Sequence, residues 1–134
     1  MSKPFENLSL NEACKEQHKR VRAKGFEKQN IPTLLMLVVS ELGEAVEADR
    51  KHRYAAIPDD PTDTVFDPRT FHTDNVYFKQ TFEENVKDTF EDEIADAFLR
   101  LMDLCGEYNI DIEKHIRMKA EYNELRAPKH GKEY

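Results

Sequence analysis

Apolar residues recur at helical spacing in two long stretches of the chain. One begins at Pro32 and continues through TLLMLVVSELGEAVEADRKHR without a helix-breaking residue, and the other covers residues 83–108. Apolar side chains at every third or fourth position are typical of an amphipathic helix. Proline is well tolerated in the first turn of a helix, so Pro32 marks the start of the first stretch. The pattern predicts two long helices.

Two further helices are predicted towards the ends of the chain. Ser9 or Asn11 would cap a helix that runs to about Lys24, where Gly25 ends it. The stretch NIDIEKHIRMKAEYNEL starts at residue 109 and predicts a helix that Pro128 limits. We therefore predict an all-α fold, a bundle of four helices.

The segment 54–81 between the two long helices shows no helical period. Pro58, Pro61 and Pro68 lie there among Asp and Thr residues, a composition typical of irregular chain. Within it, TVF and NVYFKQTF are rich in β-branched and aromatic residues, which favour strands. We expect an irregular insertion, within which these two segments could form a short β-hairpin.

Length, charge, hydropathy and cysteine spacing limit the classes to which the protein can belong. The 134 residues have the length of one compact domain, so 1–134 is taken as a single domain. A net charge of −7 disfavours binding to nucleic acid polymers, which needs a basic surface. No apolar run approaches the about 18 residues of a membrane span, and Cys14 and Cys105 lack metal-ligand spacing. We expect a cytoplasmic protein with reduced cysteines and no membrane partner.

Four acidic residues form two pairs at a spacing of three, Glu41 with Glu44 and Glu93 with Asp96. At the helical period, Glu41 and Glu44 continue an otherwise apolar stripe that contains Leu34. A buried carboxylate is costly unless a cation matches it. Magnesium binds a few carboxylates together with waters and phosphate oxygens, so the two pairs predict a magnesium site. The alternative is a solvated helix face in a chain with 27 acidic residues.

Polar and basic residues gather near the end of the chain. Lys119, Asn123 and Arg126 recur at helical spacing, and His130 and Lys132 follow. Arginine binds phosphate oxygens bidentately and lysine acts as a point charge, so this group is a candidate for triphosphate binding. The alternative is compensation of the helix dipole followed by a solvated tail.

Three motifs resemble those of the MazG-like all-α nucleoside triphosphate pyrophosphohydrolases: ELGEA at 41–45, EDEIADAFLRLMDL at 91–104 and the ending YNELRAPKHGKEY. The resemblance covers most of the chain outside the insertion. It implies hydrolysis of a nucleoside or deoxynucleoside triphosphate to the monophosphate and pyrophosphate. It also implies at least a homodimer, often a dimer of dimers, in which helices of two subunits complete each site.

The resemblance assigns roles to individual residues. The implied Mg²⁺ ligands, for which Mn²⁺ may substitute, are Glu41, Glu44, Glu93 and Asp96, and the implied substrate-binding residues are Asn123 with Lys119 or Arg126. We expect Glu41 or Glu44 to act on the attacking water. Positive charge from Lys119, Arg126 and the region of His130 and Lys132 would stabilise the leaving group.

Two departures from the family pattern leave the nucleobase open. The insertion lengthens the gap between the acid pairs, and Arg100 stands where related dCTP pyrophosphatases have an aromatic residue. Two alternatives also stay open: a non-catalytic helical module that binds nucleotides or proteins, and a phosphoribosyl-ATP pyrophosphohydrolase. We expect His18 to be a surface or boundary residue. Asp103 and Glu107 are expected on a solvated helix face, and the alternative is that they form a second layer of residues around the metal ligands.

Overall fold

The computed structural model of the protein describes residues 4–57 and 75–126. These residues form five helices: α1 (Leu10–Ala23), α2 (Ile31–Arg50), α3 (Asn75–Asn85), α4 (Phe90–Glu107) and α5 (Ile112–Glu124). The same residues contain no strand, so the all-α prediction is confirmed for them. None of these helices is long and apolar enough to cross a membrane.

Four of the helices begin at a side chain that accepts a hydrogen bond from a backbone N–H in the first turn. The capping residues are Ser9, Asn30, Thr89 and Asp111. Such a bond satisfies one of the amide groups that have no partner inside the helix. Ser9 is therefore the cap of the first helix, as the sequence predicts, and Pro32 lies in the first turn of α2.

Helix α4 is the centre of the fold. It packs against α2 on one side and α1 on another, while α5 packs against α1. Small and aliphatic side chains fill these contacts: Ala13 and Cys14 of α1, Leu34, Val38, Ala45 and Ala48 of α2, and Ala97, Leu104 and Cys105 of α4. Small residues let the helices approach closely, which brings polar side chains of α4 within reach of both neighbours.

The last part of the predicted insertion, residues 75–81, is helical. Residues 75–82, NVYFKQTF, belong to α3, so the strand predicted there is wrong, and the described residues form five helices where four were predicted. Strand preference depends strongly on tertiary context, and here side-chain bonds one helical turn apart support the helix. The Asn85 amide donates to the Thr81 carbonyl, and the Thr81 hydroxyl donates to the Tyr77 carbonyl. The TVF segment lies outside the described residues.

The third predicted helix, residues 83–108, is interrupted. Helix α3 ends at Asn85, and α4 begins only at Phe90. Between them Asp88 has a φ of 60°, a left-handed conformation that a continuous helix cannot contain. The Thr89 hydroxyl donates to the Val86 carbonyl over 2.6 Å, which closes this turn. The interruption sets the start of α4 only three residues before Glu93.

Candidate metal centre

Three carboxylates meet where α2 packs against α4. Glu41 of α2 and Glu93 and Asp96 of α4 each offer one oxygen, and these oxygens lie within 4.8 Å of one another. Glu41 and Glu93 are 8% and 6% exposed, and Asp96 is half-buried. The spacing of three places Glu93 and Asp96 on one face of α4, opposite Glu41. The structure thus brings together three of the four acids that the sequence singles out.

Glu44 stands at the edge of this group. It is exposed in the single chain, whereas Glu41 on the same helix is buried. Its carboxyl group nevertheless hydrogen-bonds with Glu93. Two carboxyl groups share such a bond only while one of them holds a proton. Glu44 therefore contacts the three-carboxylate group through Glu93.

Burial and mutual repulsion make the carboxylates hard to ionise together. The pKa of Glu93 rises to about 7, first because of burial, then because of its hydrogen bond with Glu44 and the nearby charges of Glu44, Asp96 and Glu41. Burial also raises the pKa of Asp96, and the charge of Asp92 adds to that effect. A cation between the oxygens would offset both causes. The donor set, carboxylate oxygen only, fits a hard ion such as Mg²⁺.

One positive charge already lies beside the group. The Arg100 Nε donates to the Glu41 Oε1 over 2.5 Å, which joins α4 to α2. The charge of Arg100 also acts against the rise in the pKa of Asp96. The guanidinium therefore neutralises part of the excess negative charge.

A cavity of about 460 Å³ opens beside the carboxylates. Its walls come from α1, α2, α4 and the segment 24–29, and Glu41, Asp96 and Arg100 line it together with Phe26 and Leu37. Small-molecule sites in proteins commonly enclose about 300–1,000 Å³ and combine apolar walls with a few polar groups. The cavity is therefore large enough for a small-molecule ligand next to Glu41 and Asp96.

A second polar cluster lines the same cavity. The Nδ1 of His18 on α1 lies 3.0 Å from the Asp103 Oδ1, and its Nε2 lies 2.7 Å from the Glu107 Oε2. The Lys28 Nζ lies 3.8 Å from the Glu107 Oε1. His18 is thus a boundary residue, one of the two positions expected for it, whereas the expected solvated face for Asp103 and Glu107 is wrong, because both acids pair with His18 across α1 and α4.

A signal for this cluster exists in the sequence. The polar residues of α4 recur at spacings of three and four and thus share one face of the helix. They are Glu93, Asp96, Arg100, Asp103 and Glu107. A continuous polar face on a helix that is buried on two sides indicates a lined cavity rather than solvent.

The other predicted substrate-binding residues lie on α5 or beyond it. Lys119 and Asn123 are exposed, and neither they nor Arg126 line the cavity. Lys119 and Arg126 both lie against the ring of Tyr122, with the Lys119 Nζ 5.0 Å and the Arg126 Cζ 5.7 Å from its centroid. Within one chain the structure does not bring these residues into the cavity. His130 and Lys132 lie outside the described residues.

Asp88 and Asp92 form a second group of acids with Glu93. The Asp92 Oδ2 accepts a hydrogen bond from the Asp88 N–H over 2.9 Å, and the Lys87 Nζ lies 2.9 Å from the Asp88 Oδ2. Acidic residues in the first turn of a helix complement its dipole. The start of α4 accounts for this second group.

Comparison with known proteins adds no relative. No protein-family model matches the chain, and neither a curated protein nor a solved structure matches it. The MazG-like resemblance rests on the motifs at 41–45 and 91–104 and on the ending YNELRAPKHGKEY.

Proposed function

We propose that the chain is a MazG-like, magnesium-dependent pyrophosphohydrolase that converts a nucleoside or deoxynucleoside triphosphate to the monophosphate and pyrophosphate. The observation that carries the proposal is the convergence of Glu41, Glu93 and Asp96 in the packed contact of α2 and α4. Two of these carboxylates are buried, and the pKa values of Glu93 and Asp96 are raised. A site that binds a divalent cation would have both features while the cation is absent.

The positions of the four acidic residues suggest separate roles for them. Glu41, Glu93 and Asp96 would hold Mg²⁺, or Mn²⁺ in its place, since both ions prefer oxygen ligands. When bound, the ion supplies positive charge for the phosphate oxygens and lowers the pKa of a water molecule. Glu44 is exposed and contacts the group at Glu93, which suits it to orient that water and accept its proton. Glu41 is the other candidate for this role.

The position of the cavity indicates where the nucleoside of the substrate would lie. Because Glu41 and Asp96 line it, a triphosphate held at the carboxylates would extend its nucleoside into the space beside Phe26. Aromatic side chains bind nucleobases by stacking, which tolerates any base. The proposed substrate class is thus a nucleotide of open base identity, in keeping with the expected cytoplasmic location.

An apolar stripe on α2 supports assembly into a homodimer or a dimer of dimers. Five of its aliphatic side chains share one side of the helix and are 44–60% exposed: Ile31, Leu35, Val39, Leu42 and Val46. Contiguous exposed apolar surface of this kind marks protein interfaces. Such an assembly would let α5 of one subunit present Lys119, Asn123 and Arg126 to the cavity of another.

The test is a panel of ribonucleoside and deoxynucleoside triphosphates incubated with Mg²⁺, with pyrophosphate and orthophosphate assayed separately. We expect pyrophosphate release, and a loss of about 100-fold or more in Glu93→Gln and Asp96→Asn, because each removes a ligand of the ion. The matched control is Glu47→Gln, which changes an acid on α2 that pairs with Arg50 and Lys51. It should keep wild-type activity.

Other outcomes favour the alternatives. Nucleotide binding without turnover would indicate a non-catalytic helical module. A strong preference for phosphoribosyl-ATP over every triphosphate in the panel would indicate a phosphoribosyl-ATP pyrophosphohydrolase. Either result would overturn the proposed activity.

A further inference from the structure

Arg100 forms an ion pair with Glu41, one of the three carboxylates that would hold a divalent cation. Glu41 belongs to the group whose oxygens lie within 4.8 Å of one another, and its Oε1 accepts from the Arg100 Nε over 2.5 Å. The Glu41 side chain is 10% exposed, so it has little contact with water to stabilise its charge. The guanidinium supplies that stabilisation instead.

A divalent ion and this guanidinium compete for the same carboxylate. Two positive charges beside one carboxylate repel each other, more strongly near a protein interior than in water. Among the described residues, Arg100 is the cation that forms an ion pair with Glu41, Glu93 or Asp96. A cation that binds there is therefore opposed as long as Arg100 stays in place.

The Arg100 side chain can also reach the cavity. It is 41% exposed and lines the cavity of about 460 Å³. A guanidinium on a long side chain can leave one carboxylate and pair with another planar or tetrahedral anion. Two other cations of the cavity already have partners, since Arg22 donates to the Phe26 carbonyl and Lys28 lies beside Glu107. Because Arg100 both pairs with Glu41 and lines the cavity, it is placed to exchange between Glu41 and a ligand.

We propose that Arg100 is a positioning residue that couples metal and nucleotide binding: it holds Glu41 before a divalent cation binds, then leaves Glu41 and pairs with a phosphate of the nucleotide in the cavity. The inference rests on the proposed function, because it needs both ligands. By linkage, a residue that opposes the first ligand and binds the second makes their binding cooperative.

The experiment measures binding rather than turnover. Mn²⁺ is titrated into the metal-free protein and followed by the electron paramagnetic resonance signal of the free ion. We expect Arg100→Gln to bind Mn²⁺ about fivefold or more tightly than the wild type, because the competing charge is gone. Glutamine keeps a neutral donor for the buried Glu41. Arg100→Lys keeps the charge and should stay closer to the wild type than Arg100→Gln does.

The second half of the experiment uses inorganic tripolyphosphate, which has no base or sugar. With Mn²⁺ saturating, Arg100→Gln should bind it about fivefold or more weakly. The matched control is Arg22→Gln, which removes the same charge from the same cavity but from a side chain whose hydrogen bond goes to the Phe26 carbonyl. It should leave Mn²⁺ affinity unchanged.

The outcomes separate this inference from the proposed function. A wild-type protein that binds no Mn²⁺ would overturn both. A wild type that binds Mn²⁺, with Arg100→Gln equal to Arg22→Gln, would overturn the role of Arg100 alone. Tighter Mn²⁺ binding with unchanged tripolyphosphate binding would overturn the transfer of Arg100 to phosphate.

Discussion

Gly106 of α4 lies directly against the backbone of Cys14 of α1. A Cβ at Gly106 would overlap the Cys14 carbonyl oxygen and lie 2.7 Å from the Cβ of His18. A backbone atom cannot move aside as the end of a side chain can. This contact therefore sets the distance between α1 and α4, and with it the position of His18 opposite Asp103 and Glu107 in the wall of the cavity.

We expect Gly106→Ala to destabilise the fold. The added methyl group would force the two helices apart, at a cost of about 1–3 kcal/mol, despite the better helix propensity of alanine. Denaturation by urea measures the change. The matched control is Gly43→Ala, since a Cβ there meets nothing within 4 Å in the interior of α2. It should stabilise by about 0.5–1 kcal/mol. Equal effects at both glycines would contradict the close contact.

The raised pKa of Glu93 predicts how stability depends on pH in the metal-free protein. Its pKa rises from the usual 4.5 to about 7, first because of burial. Between these values the folded state keeps a proton that the unfolded state has lost, so the free energy of unfolding falls as pH rises from about 4.5 to 7. Glu93→Gln cannot lose a proton and should lack this part of the dependence.

Melting temperatures at pH 5 to 8, in the presence of a chelator, compare the wild type with Glu93→Gln. Other titrating groups are present in both proteins, so the difference between the two curves reports the ionisation of Glu93 together with its electrostatic coupling to the neighbouring carboxylates. Added Mg²⁺ should stabilise the wild type more at pH 8 than at pH 6, because the ion binds the deprotonated carboxylate. Parallel curves for the two proteins would show that Glu93 does not titrate in this range.

Local chemistry made the helix ends predictable. Ser9 and Pro32 act within one turn of the chain, and the structure has both where the sequence puts them. The interruption before α4 has a comparable signal, because the Thr89 hydroxyl accepts from the Asp92 N–H in a capping arrangement. The apolar positions on both sides of this interruption keep a helical period, so the hydrophobic pattern alone predicts one continuous helix.

Pairings between helices were not predictable in the same way. Helical phase selected Glu41 and Glu93, but it does not say how far one helix is shifted or rotated against the next. Glu44 illustrates the limit, since it lies near the buried face of α2 and is nevertheless exposed. The pairs Arg100 with Glu41 and His18 with Glu107 join residues far apart in the chain. Only the packed helices define them.

The apolar stripe on α2 predicts that a charge there prevents assembly. Val39 is 53% exposed at the middle of the stripe, and a lysine in its place would bury a charge in any interface that covers it. We expect Val39→Lys to shift the protein to monomers in gel filtration with light scattering. Ser40→Lys is the control, because Ser40 is exposed on the other side of the helix. A monomeric wild type, or equal behaviour of the two variants, would contradict the proposed interface.

The MazG-like resemblance implies that helices of two subunits complete each site, and the exposed Asn123 offers a test of this. Asn123 is exposed on α5, which packs against α1 and does not line the cavity of its own chain. If α5 serves the partner's cavity, a dimer of one Asp96→Asn and one Asn123→Ala subunit has one doubly damaged site and one intact site. Subunit exchange between the two inactive variants should then restore about a quarter of wild-type pyrophosphate release, because half of the dimers are hybrids. The control is a mixture of Asp96→Asn with Glu93→Gln. It should restore no pyrophosphate release, since each change damages the carboxylates of the subunit that carries it. If the mixture of Asp96→Asn and Asn123→Ala recovers no activity, α5 does not complete the site of a partner.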